Sequence, residues 1–446
     1  MHSQVSLSIT MACLALGVAA CSSPPGSTGG FTGSGSGTGT SGASTGSKSG
    51  SSGTTGTSGT QTGTSGSHTG STGSTGSTGA STGTSGASGT TTGTSGTASG
   101  TSTTTSLAGP PDAPYTVNGA KIVGKSGQPH LFRGLDRPSL EFSCTGDIKS
   151  DEYEIMQEEW NANVVRLALN QDCWLDDPSN PTYSPNYAAI VDTQVQGAIA
   201  AGLDIILDLH WSDQGSYATG ATCFASTAGC QQDMADEHSL TFWQQVAAKY
   251  GSNPNVLFEL YNEPHVGGYM PQSADWTTWL SGGTSSGFTV VGMQQLYTAV
   301  RTAGATNLIV IGGLAWAYDL SGVPSHMVNG TNILYATHPY DTSTNPNPSG
   351  WTQYFGSLSA TVPVIATEFG ARAAGQPTSC SAGFDTSFIQ YANGKASGSN
   401  PSNELSWTAW AFYFASSCTF PPLLADSQFT PNAPGMVVQS ALMAGP

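Results

Sequence analysis

Eight apolar runs, separated by stretches with a helical pattern, constrain the fold of this 446-residue chain more than any other feature. The predicted strands are Leu131–Leu135, Asn163–Leu169, Asp204–Trp211, Val256–Asn262, Asn307–Gly313, Ile333–Pro339, Val362–Glu368 and Leu405–Phe412. Strands that alternate with helices indicate βαβ units and a parallel sheet. Eight such units favour an α/β fold of the closed (β/α)8 TIM barrel type over an open doubly wound sheet.

Helical patterns lie between these runs, and a hairpin pattern precedes them. The predicted helices are Asp151–Trp160, Tyr187–Ala201, Ser239–Tyr250, Val291–Ala303 and Met436–Met443. Before the first run, residues 115–117 and 120–123 flank an Asn118-Gly119 pair, which is a strong signal for a two-residue hairpin turn. We therefore expect an N-terminal β-hairpin that closes the amino-terminal end of the barrel.

Composition divides the chain into three segments. Residues 22–109 are almost wholly Gly, Ser and Thr, with Lys48 as their only charged residue. Such a segment has little apolar surface to bury, so we expect a disordered linker with an end-to-end distance on the order of 50 Å. Residues 1–21 are predicted to be a signal peptide, and residues 110–446 the TIM-barrel catalytic domain.

The first 21 residues resemble a lipoprotein-type signal peptide. Residues 11–20 form an apolar run that is too short to span a bilayer but is typical of a signal-peptide core. Val18-Ala19-Ala20-Cys21 resembles a bacterial lipobox, in which the cysteine is lipidated and begins the mature protein. We therefore expect export with a lipid anchor at Cys21 on a membrane or cell surface. An ordinary secretory signal, with a released protein, is the alternative.

Six cysteines follow the signal segment, and an even number indicates disulfides in an exported protein. Six cysteines allow fifteen pairings, among which sequence does not choose. We expect nearest-neighbour pairing, which gives Cys144–Cys173, Cys223–Cys230 and Cys380–Cys418. No Cys/His spacing suggests zinc, and we predict neither a metal nor another cofactor.

The predicted barrel domain is strongly acidic. It holds all 28 acidic residues of the chain and ten of its eleven Lys and Arg residues, for a formal charge of −18. This balance disfavours nucleic acid and anionic membranes as partners and suits a neutral polymer. We expect a monomer whose only contact with a membrane is the anchor at Cys21.

Side chains that can carry chemistry stand at the ends of six predicted strands. They are Arg166, His210, Asn262, Glu263, His338, Tyr340, Glu368 and Trp410. In a parallel barrel such ends meet at one rim, where active sites are built. Two carboxylates on one rim, here Glu263 and Glu368, can cleave a glycosidic bond, one as proton donor and the other as nucleophile.

The motifs around these residues resemble glycoside hydrolase family 5. They are Val-Val-Arg166-Leu, Leu-Asp-Leu-His210-Trp, Tyr-Asn262-Glu263-Pro, His338-Pro-Tyr340, Thr-Glu368-Phe-Gly and Trp410, in the strand order of that family. The resemblance implies a retaining mechanism, with Glu263 on the fourth strand as acid/base and Glu368 on the seventh as nucleophile. Retention requires carboxyl groups about 5–5.5 Å apart.

The neighbours of each glutamate support separate roles. A nucleophile must stay ionised, and Arg166 and Tyr340 can donate hydrogen bonds to Glu368. The acid must hold a proton, so we expect Glu263 to be buried and distant from cations. Asn262 can bind the 2-hydroxyl group of the sugar, an interaction that strengthens in the transition state.

The remaining candidates have substrate-binding or packing interpretations. His210 and His338 are predicted to orient the carboxylates or the sugar, and Trp410 to offer a flat apolar face to a sugar ring. Three further tryptophans follow strand ends and either line sugar subsites or only pack; they are Trp174, Trp211 and Trp316. We expect Asp208 and Glu259 to point away from the rim and to have structural roles.

The sequence thus predicts a retaining glycoside hydrolase that acts on β-linked polysaccharide. We favour an endo-β-1,4-glucanase, because cellulase is the commonest activity associated with this family pattern. An endo-β-1,4-mannanase is the next candidate, and an exo-acting glucosidase-like enzyme the third. An alternative of another class is a surface carbohydrate-binding protein on an inactive barrel, which the intact pair of carboxylates disfavours.

Overall fold

The structure, a computed structural model, describes residues 110, 112–176, 184–212, 232–372 and 380–445. The predicted signal peptide, the linker and the Cys223–Cys230 pair lie outside these residues. Across the ranges described, no helix combines the length and the apolar character that a membrane crossing requires.

Strands and helices alternate along most of the described chain. The strands are β1 (Thr116–Asn118), β2 (Lys121–Val123), β3 (Pro129–His130), β4 (Arg133–Arg137), β5 (Val164–Asn170), β6 (Asp204–Trp211), β7 (Val256–Glu259), β8 (Gly283–Ser285), β9 (Phe288–Val290), β10 (Ile309–Gly312), β11 (Ile333–Thr337), β12 (Val364–Ala366) and β13 (Ser406–Ala409). The helices are α1 (Glu152–Glu158), α2 (Gln171–Trp174), α3 (Tyr187–Ala200), α4 (His238–Tyr250), α5 (Ser273–Ser281), α6 (Met293–Thr302), α7 (Pro348–Tyr354), α8 (Gly383–Ala392) and α9 (Ala433–Met443). All eight predicted strands and all five predicted helices are present.

Eight of these strands form a closed parallel barrel. Their order around the barrel is β4, β5, β6, β7, β10, β11, β12 and β13, and β13 pairs with β4 to close it. Every residue of these eight strands is buried, as expected for strands that face the barrel interior on one side and helices on the other. The predicted TIM barrel is therefore confirmed.

Four helices and one hairpin were not predicted from the sequence. The helices α2 and α7 have four and seven residues, and α5 and α8, with nine and ten, carry Ser and Thr among their apolar residues. The strands β8 and β9 pair as a small antiparallel hairpin between α5 and α6. These elements are short enough that tertiary contacts, rather than local pattern, decide their structure.

The N-terminal strands cover one end of the barrel. The strands β1 and β2 form the predicted hairpin, and β3 extends it to a three-stranded antiparallel sheet. Tyr115 and Ile122 pack in one apolar cluster with Val164 and Ile206, which lie near the starts of β5 and β6. The hydroxyl group of Tyr115 donates a hydrogen bond to Asp204 Oδ2 at 2.7 Å. The hairpin thus closes the amino-terminal end of the barrel, as predicted.

Two disulfides fix loops at the opposite end. The pairs Cys144–Cys173 and Cys380–Cys418 form as predicted, with Cα–Cα distances of 5.3 and 5.4 Å. The first joins the loop after β4 to α2, and the second joins the segment before α8 to the loop after β13. All four cysteines therefore lie on the side of the carboxyl-terminal strand ends.

Candidate active site

All eight predicted site residues belong to one network of contacts at the carboxyl-terminal rim of the barrel. Arg166 contacts Glu368 and Asn262, and Tyr340 also contacts Glu368. The same network then continues through four further contacts: Asn262 with His210, His210 with Trp410, and His338 with both Glu263 and Glu368. The barrel therefore brings together residues that are up to 244 positions apart in the chain.

Glu368 lies just beyond β12 and accepts hydrogen bonds on both carboxylate oxygens. Arg166 Nη1 donates to Oε1 at 2.8 Å, and the hydroxyl group of Tyr340 donates to Oε2 at 2.6 Å. Burial, together with the charge of Glu368, raises the pKa of Tyr340 well above its usual value, so the phenol keeps its proton and remains a donor. These two donors fix the position of both carboxylate oxygens.

Arg166 is the hub beneath this carboxylate, and its side chain has no exposed surface. Its nitrogens contact Glu259 Oε2 (2.5 Å), Glu368 Oε1 (2.8 Å), Asp136 Oδ1 (3.1 Å), Asn262 Oδ1 (2.7 Å) and Asp208 Oδ2 (3.0 Å). A guanidinium group has five N–H donors, which equals the number of these acceptors. Arg166 therefore acts on a substrate only through the groups that it holds.

Three carboxylates around Arg166 are additions to the predicted site. Asp136, Asp208 and Glu259 are all buried and all contact the guanidinium group. The expectation that Asp208 and Glu259 point away from the rim is wrong, because both face Arg166 inside the barrel. Strand alternation could have revealed this for Asp208, since it lies two residues before His210, and its Oδ2 is 2.7 Å from His210 Nδ1.

Glu263 lies in the loop after β7, and its surroundings differ from the expectation. We expected distance from cations, but His338 Nδ1 is 3.2 Å from Glu263 Oε1. Burial acts to lower the pKa of His338, but Glu368, Glu259 and Glu263 together raise it to about 10. Burial would likewise raise the pKa of Glu263, but the hydrogen bond and the charge of His338 outweigh it and lower that pKa. Glu263 and His338 therefore each favour the charged form of the other.

His210 and Trp410 complete the floor of the site. Their rings are stacked, with a centroid distance of 5.5 Å and an interplanar angle of 17°. Asn262 Nδ2 lies 3.3 Å from His210 Nε2, and the opposite end of the Asn262 amide accepts the bond from Arg166. Trp410 is 6% exposed, and its Nε1 donates to the carbonyl group of Phe420. Asp208 and Asn262 therefore hold the ring of His210, and the loop after β13 holds that of Trp410.

The three other tryptophans separate into two kinds. Trp174 and Trp211 are almost fully buried and pack against neighbouring aromatic rings, which supports the packing interpretation. Trp316 is partly exposed, and its ring lies parallel to that of His265 at 4.6 Å. Tyr269, which is 46% exposed, lies 4.3 Å from Trp316. Trp316 and Tyr269 thus form an aromatic surface joined to the Glu263 segment through His265.

Glu263, His338 and Glu368 also have a spacing that a metal ion could bridge. One possible ligand atom from each lies within 4.8 Å of the others. However, the nitrogens of His338 lie 3.2 Å from Glu263 and 2.9 Å from the hydroxyl group of Thr367, contacts that shared protons explain. The prediction that the site works without a metal therefore stays as it was.

A closed parallel barrel that carries one glutamate after its fourth strand and another after its seventh has the architecture of the glycoside-hydrolase class of TIM barrels. The sequence profile of cellulase (glycosyl hydrolase family 5) matches residues 123–416. The chain therefore belongs to glycosyl hydrolase family 5.

Curated proteins with similar sequences are named endoglucanases. The endoglucanase of Clostridium saccharobutylicum is 22% identical over 297 residues, which cover 66% of this chain and 56% of that protein. Endoglucanase N of Pectobacterium atrosepticum is 25% identical over 229 residues, which cover 50% of this chain and 43% of that protein. This chain thus spans about half the length of these curated relatives.

Solved structures share the barrel. The β-glucanase SdGluc5_26A of Saccharophagus degradans, in complex with cellotetraose, has a TM-score of 0.55 and 22% identity, over 75% of this chain and 94% of that chain. The catalytic domain of the Thermobifida fusca endoglucanase Cel5A has a TM-score of 0.53 and 18% identity, and the match covers 74% of this chain and 97% of that chain. At these identities the likeness is evidence for the fold.

Proposed function

We propose that this protein is a retaining endo-β-1,4-glucanase. One observation carries the retaining glycosidase mechanism: a carboxylate oxygen of Glu263 and one of Glu368 lie within 4.8 Å of each other at the rim. This agrees with the separation of about 5–5.5 Å between the carboxyl groups of retaining enzymes and falls short of the roughly 6.5–9.5 Å of inverting enzymes.

The contacts of the two glutamates support a two-step reaction. In the first step, a Glu368 oxygen attacks the anomeric carbon while Glu263 protonates the departing glycosidic oxygen, which leaves a glycosyl ester on Glu368. In the second step, Glu263 removes a proton from water, and the water oxygen displaces Glu368. Arg166 and Tyr340 hold the two Glu368 oxygens in place for both steps.

The choice of β-1,4-glucan has three supports. The relatives described above are named endoglucanases, and a β-glucanase of similar fold was solved with cellotetraose. The aromatic surface of Trp316 and Tyr269 offers flat rings of the kind that pack on sugars, and the acidic domain suits an uncharged polymer. A β-1,4-mannan would satisfy the last two of these supports equally well.

A substrate panel tests the proposal. The purified chain is incubated with carboxymethylcellulose, β-1,4-mannan and xyloglucan, with Glu368→Gln as the background control. We expect reducing ends to form fastest from carboxymethylcellulose, with an early fall in viscosity that indicates internal cleavage. Faster cleavage of mannan would instead identify a mannanase. Binding without turnover of any β-glycan would identify a carbohydrate-binding protein.

Loss of the charge of His338 is expected to move the alkaline limb of the pH profile. His338→Asn keeps a donor near the Nδ1 position and removes the positive charge that lowers the pKa of Glu263. The pKa of Glu263 then rises, the acid stays protonated to higher pH, and the alkaline limb of kcat/KM moves to higher pH. The profile is measured with an aryl cellobioside. His238→Asn, at an exposed histidine, is the control; an alkaline limb that stays in place or moves to lower pH in His338→Asn contradicts this coupling.

We also propose that the protein is exported and lipid-anchored at Cys21. The support comes from the apolar run and the lipobox-like residues that end at this cysteine. Mass spectrometry of the mature N-terminus tests the proposal. A diacylglyceryl-modified Cys21 is expected, and an unmodified terminus beyond Cys21 contradicts it.

A further inference from the structure

Four carboxylates share one guanidinium group beneath the rim, and one of them differs from the rest. Asp208 also contacts His210, Glu259 also accepts from Thr367 at 2.6 Å, and Glu368 also accepts from Tyr340. Asp136 Oδ1 accepts from Arg166 at 3.1 Å, and among the described residues Asp136 is the one acid of the four with no further side-chain partner. Its Oδ2 is buried without a hydrogen-bond partner among the described protein groups, as is Oδ1 of Asp208.

The groups that face Asp136 carry more negative than positive charge. Arg166 of β5 is the cation beside Asp136, and the charges of Glu259 of β7 and Glu368 after β12 act on it from other elements. Asp208 of β6 contacts the same guanidinium group. The adjacent strand β13, Ser406–Ala409, has no titratable side chain. A fourth buried anion with an unsatisfied oxygen would be costly here, whereas a neutral carboxyl group would not carry that charge penalty. Burial, aided by Glu368 and Glu259 and opposed by Arg166, raises the pKa of Asp136 well above its usual value.

We propose that Asp136 stays protonated in the active enzyme and is a positioning residue for the nucleophile Glu368. Asp136 lies beside Arg166 in the pairing of β4 with β5, and its backbone carbonyl group accepts from Phe412 N at 2.8 Å. Its Oδ1 holds one N–H of Arg166 Nη1, while the other N–H of the same nitrogen is available to Glu368. As a neutral acceptor, Asp136 orients the guanidinium group and leaves its charge to the nucleophile. The positioning role rests on the proposed glycosidase function, whereas the protonation does not.

The first test measures protonation through stability and needs no turnover. If native Asp136 keeps its proton while the unfolded chain releases it, the unfolding constant of the wild type increases as pH rises above the ordinary carboxyl pKa of about 4. Asp136→Asn lacks this contribution. We therefore expect the ratio of unfolding constants, wild type over Asp136→Asn, to rise about tenfold per pH unit from pH 4 until the native pKa is reached.

Urea unfolding between pH 4 and pH 7 gives this ratio. Asp151→Asn, at an exposed aspartate, is the control and should give a ratio that does not change with pH. A ratio for Asp136→Asn that is constant or falls as pH rises overturns the proposal. So does failure of Asp136→Asn to fold, because a neutral isostere of a protonated carboxyl group should be tolerated.

The second test addresses positioning with an activated aryl cellobioside. Asp136→Ala removes the acceptor for Arg166, and we expect kcat/KM to fall about 10–100-fold, mainly through kcat. Asp136→Asn keeps an acceptor and should retain most of the wild-type kcat/KM. The acidic limb of the pH profile should stay in place in Asp136→Asn. A loss in Asp136→Asn equal to that in Asp136→Ala, or a shift of the acidic limb to lower pH, overturns the proposal. Absence of wild-type turnover would contradict the proposed function and leave the stability test valid.

Discussion

Replacement of Glu368 by Gln is expected to abolish turnover of every substrate, whereas replacement of Glu263 by Gln should spare substrates whose leaving group needs no proton. In the proposed mechanism Glu368 forms the covalent bond, so its loss should lower kcat on the order of 10⁶-fold, as when subtilisin loses its nucleophile. In the same mechanism Glu263 supplies general acid catalysis, which contributes roughly 10²–10⁴-fold. The two variants therefore separate the two roles.

Leaving-group dependence is the measurement that distinguishes them. Glu263→Gln should hydrolyse phenyl cellobioside far more slowly than wild type but should still form the glycosyl enzyme from 2,4-dinitrophenyl cellobioside, seen as a burst of dinitrophenol. Glu154→Gln, at an exposed glutamate of α1, is the matched control and should retain wild-type rates. Equal losses on both aryl substrates in Glu263→Gln would contradict its assignment as the acid.

Replacement of Arg166 by Met should be the most destabilising single change at the site. The substitution keeps an unbranched side chain but leaves four buried carboxyl groups, of which Asp136 is proposed to be neutral, without their shared cation. Removal of one partner of a buried ion pair typically costs about 3–5 kcal/mol, and we expect the free energy of unfolding to fall by at least that amount at pH 7.

The pH dependence of this loss gives a second criterion. Burial would raise the pKa of Glu259, but Arg166 and His338 lower it to about 2. Without Arg166 the pKa of Glu259 rises, so that native Glu259 binds a proton more readily than Glu259 in the unfolded chain. Acid then raises the free energy of unfolding of the variant relative to that of the wild type. The loss measured by urea unfolding should therefore be smaller at pH 4 than at pH 7. Arg301→Met, at a partly exposed arginine of α6, is the control; a loss that grows in acid contradicts the prediction.

Much of the site was predictable because a parallel barrel converts strand ends into neighbours. Glu263 and Glu368 are 105 residues apart, yet each follows an apolar run, and the rule that strand ends share one rim places them together. The same rule predicted Arg166, His210 and Tyr340. The disulfides Cys144–Cys173 and Cys380–Cys418 were also predicted correctly, because loops at neighbouring strand ends lie close in space.

The electrostatic arrangement was not predictable in the same way. Asp136 and Glu259 read as ordinary residues within their strands, and only the distances to Arg166 show that they belong to the site. We expected Glu263 to lie far from cations, but His338 contacts it. The sequence could not show this contact, because a pattern of residues along a strand contains no information on the rotation of a side chain. A pKa depends on charges within a few ångströms, so it follows from tertiary distances.

The order of residues along the chain was sufficient to establish the barrel, its amino-terminal closure and the two glutamates, because burial periodicity and strand-end position are local properties. The folded structure alone showed that one guanidinium group contacts four buried carboxylates and that His338 is coupled to both Glu263 and Glu368. The physical reason is that Coulomb energies inside a protein depend on separation and burial, which exist only after residues distant in sequence have packed together.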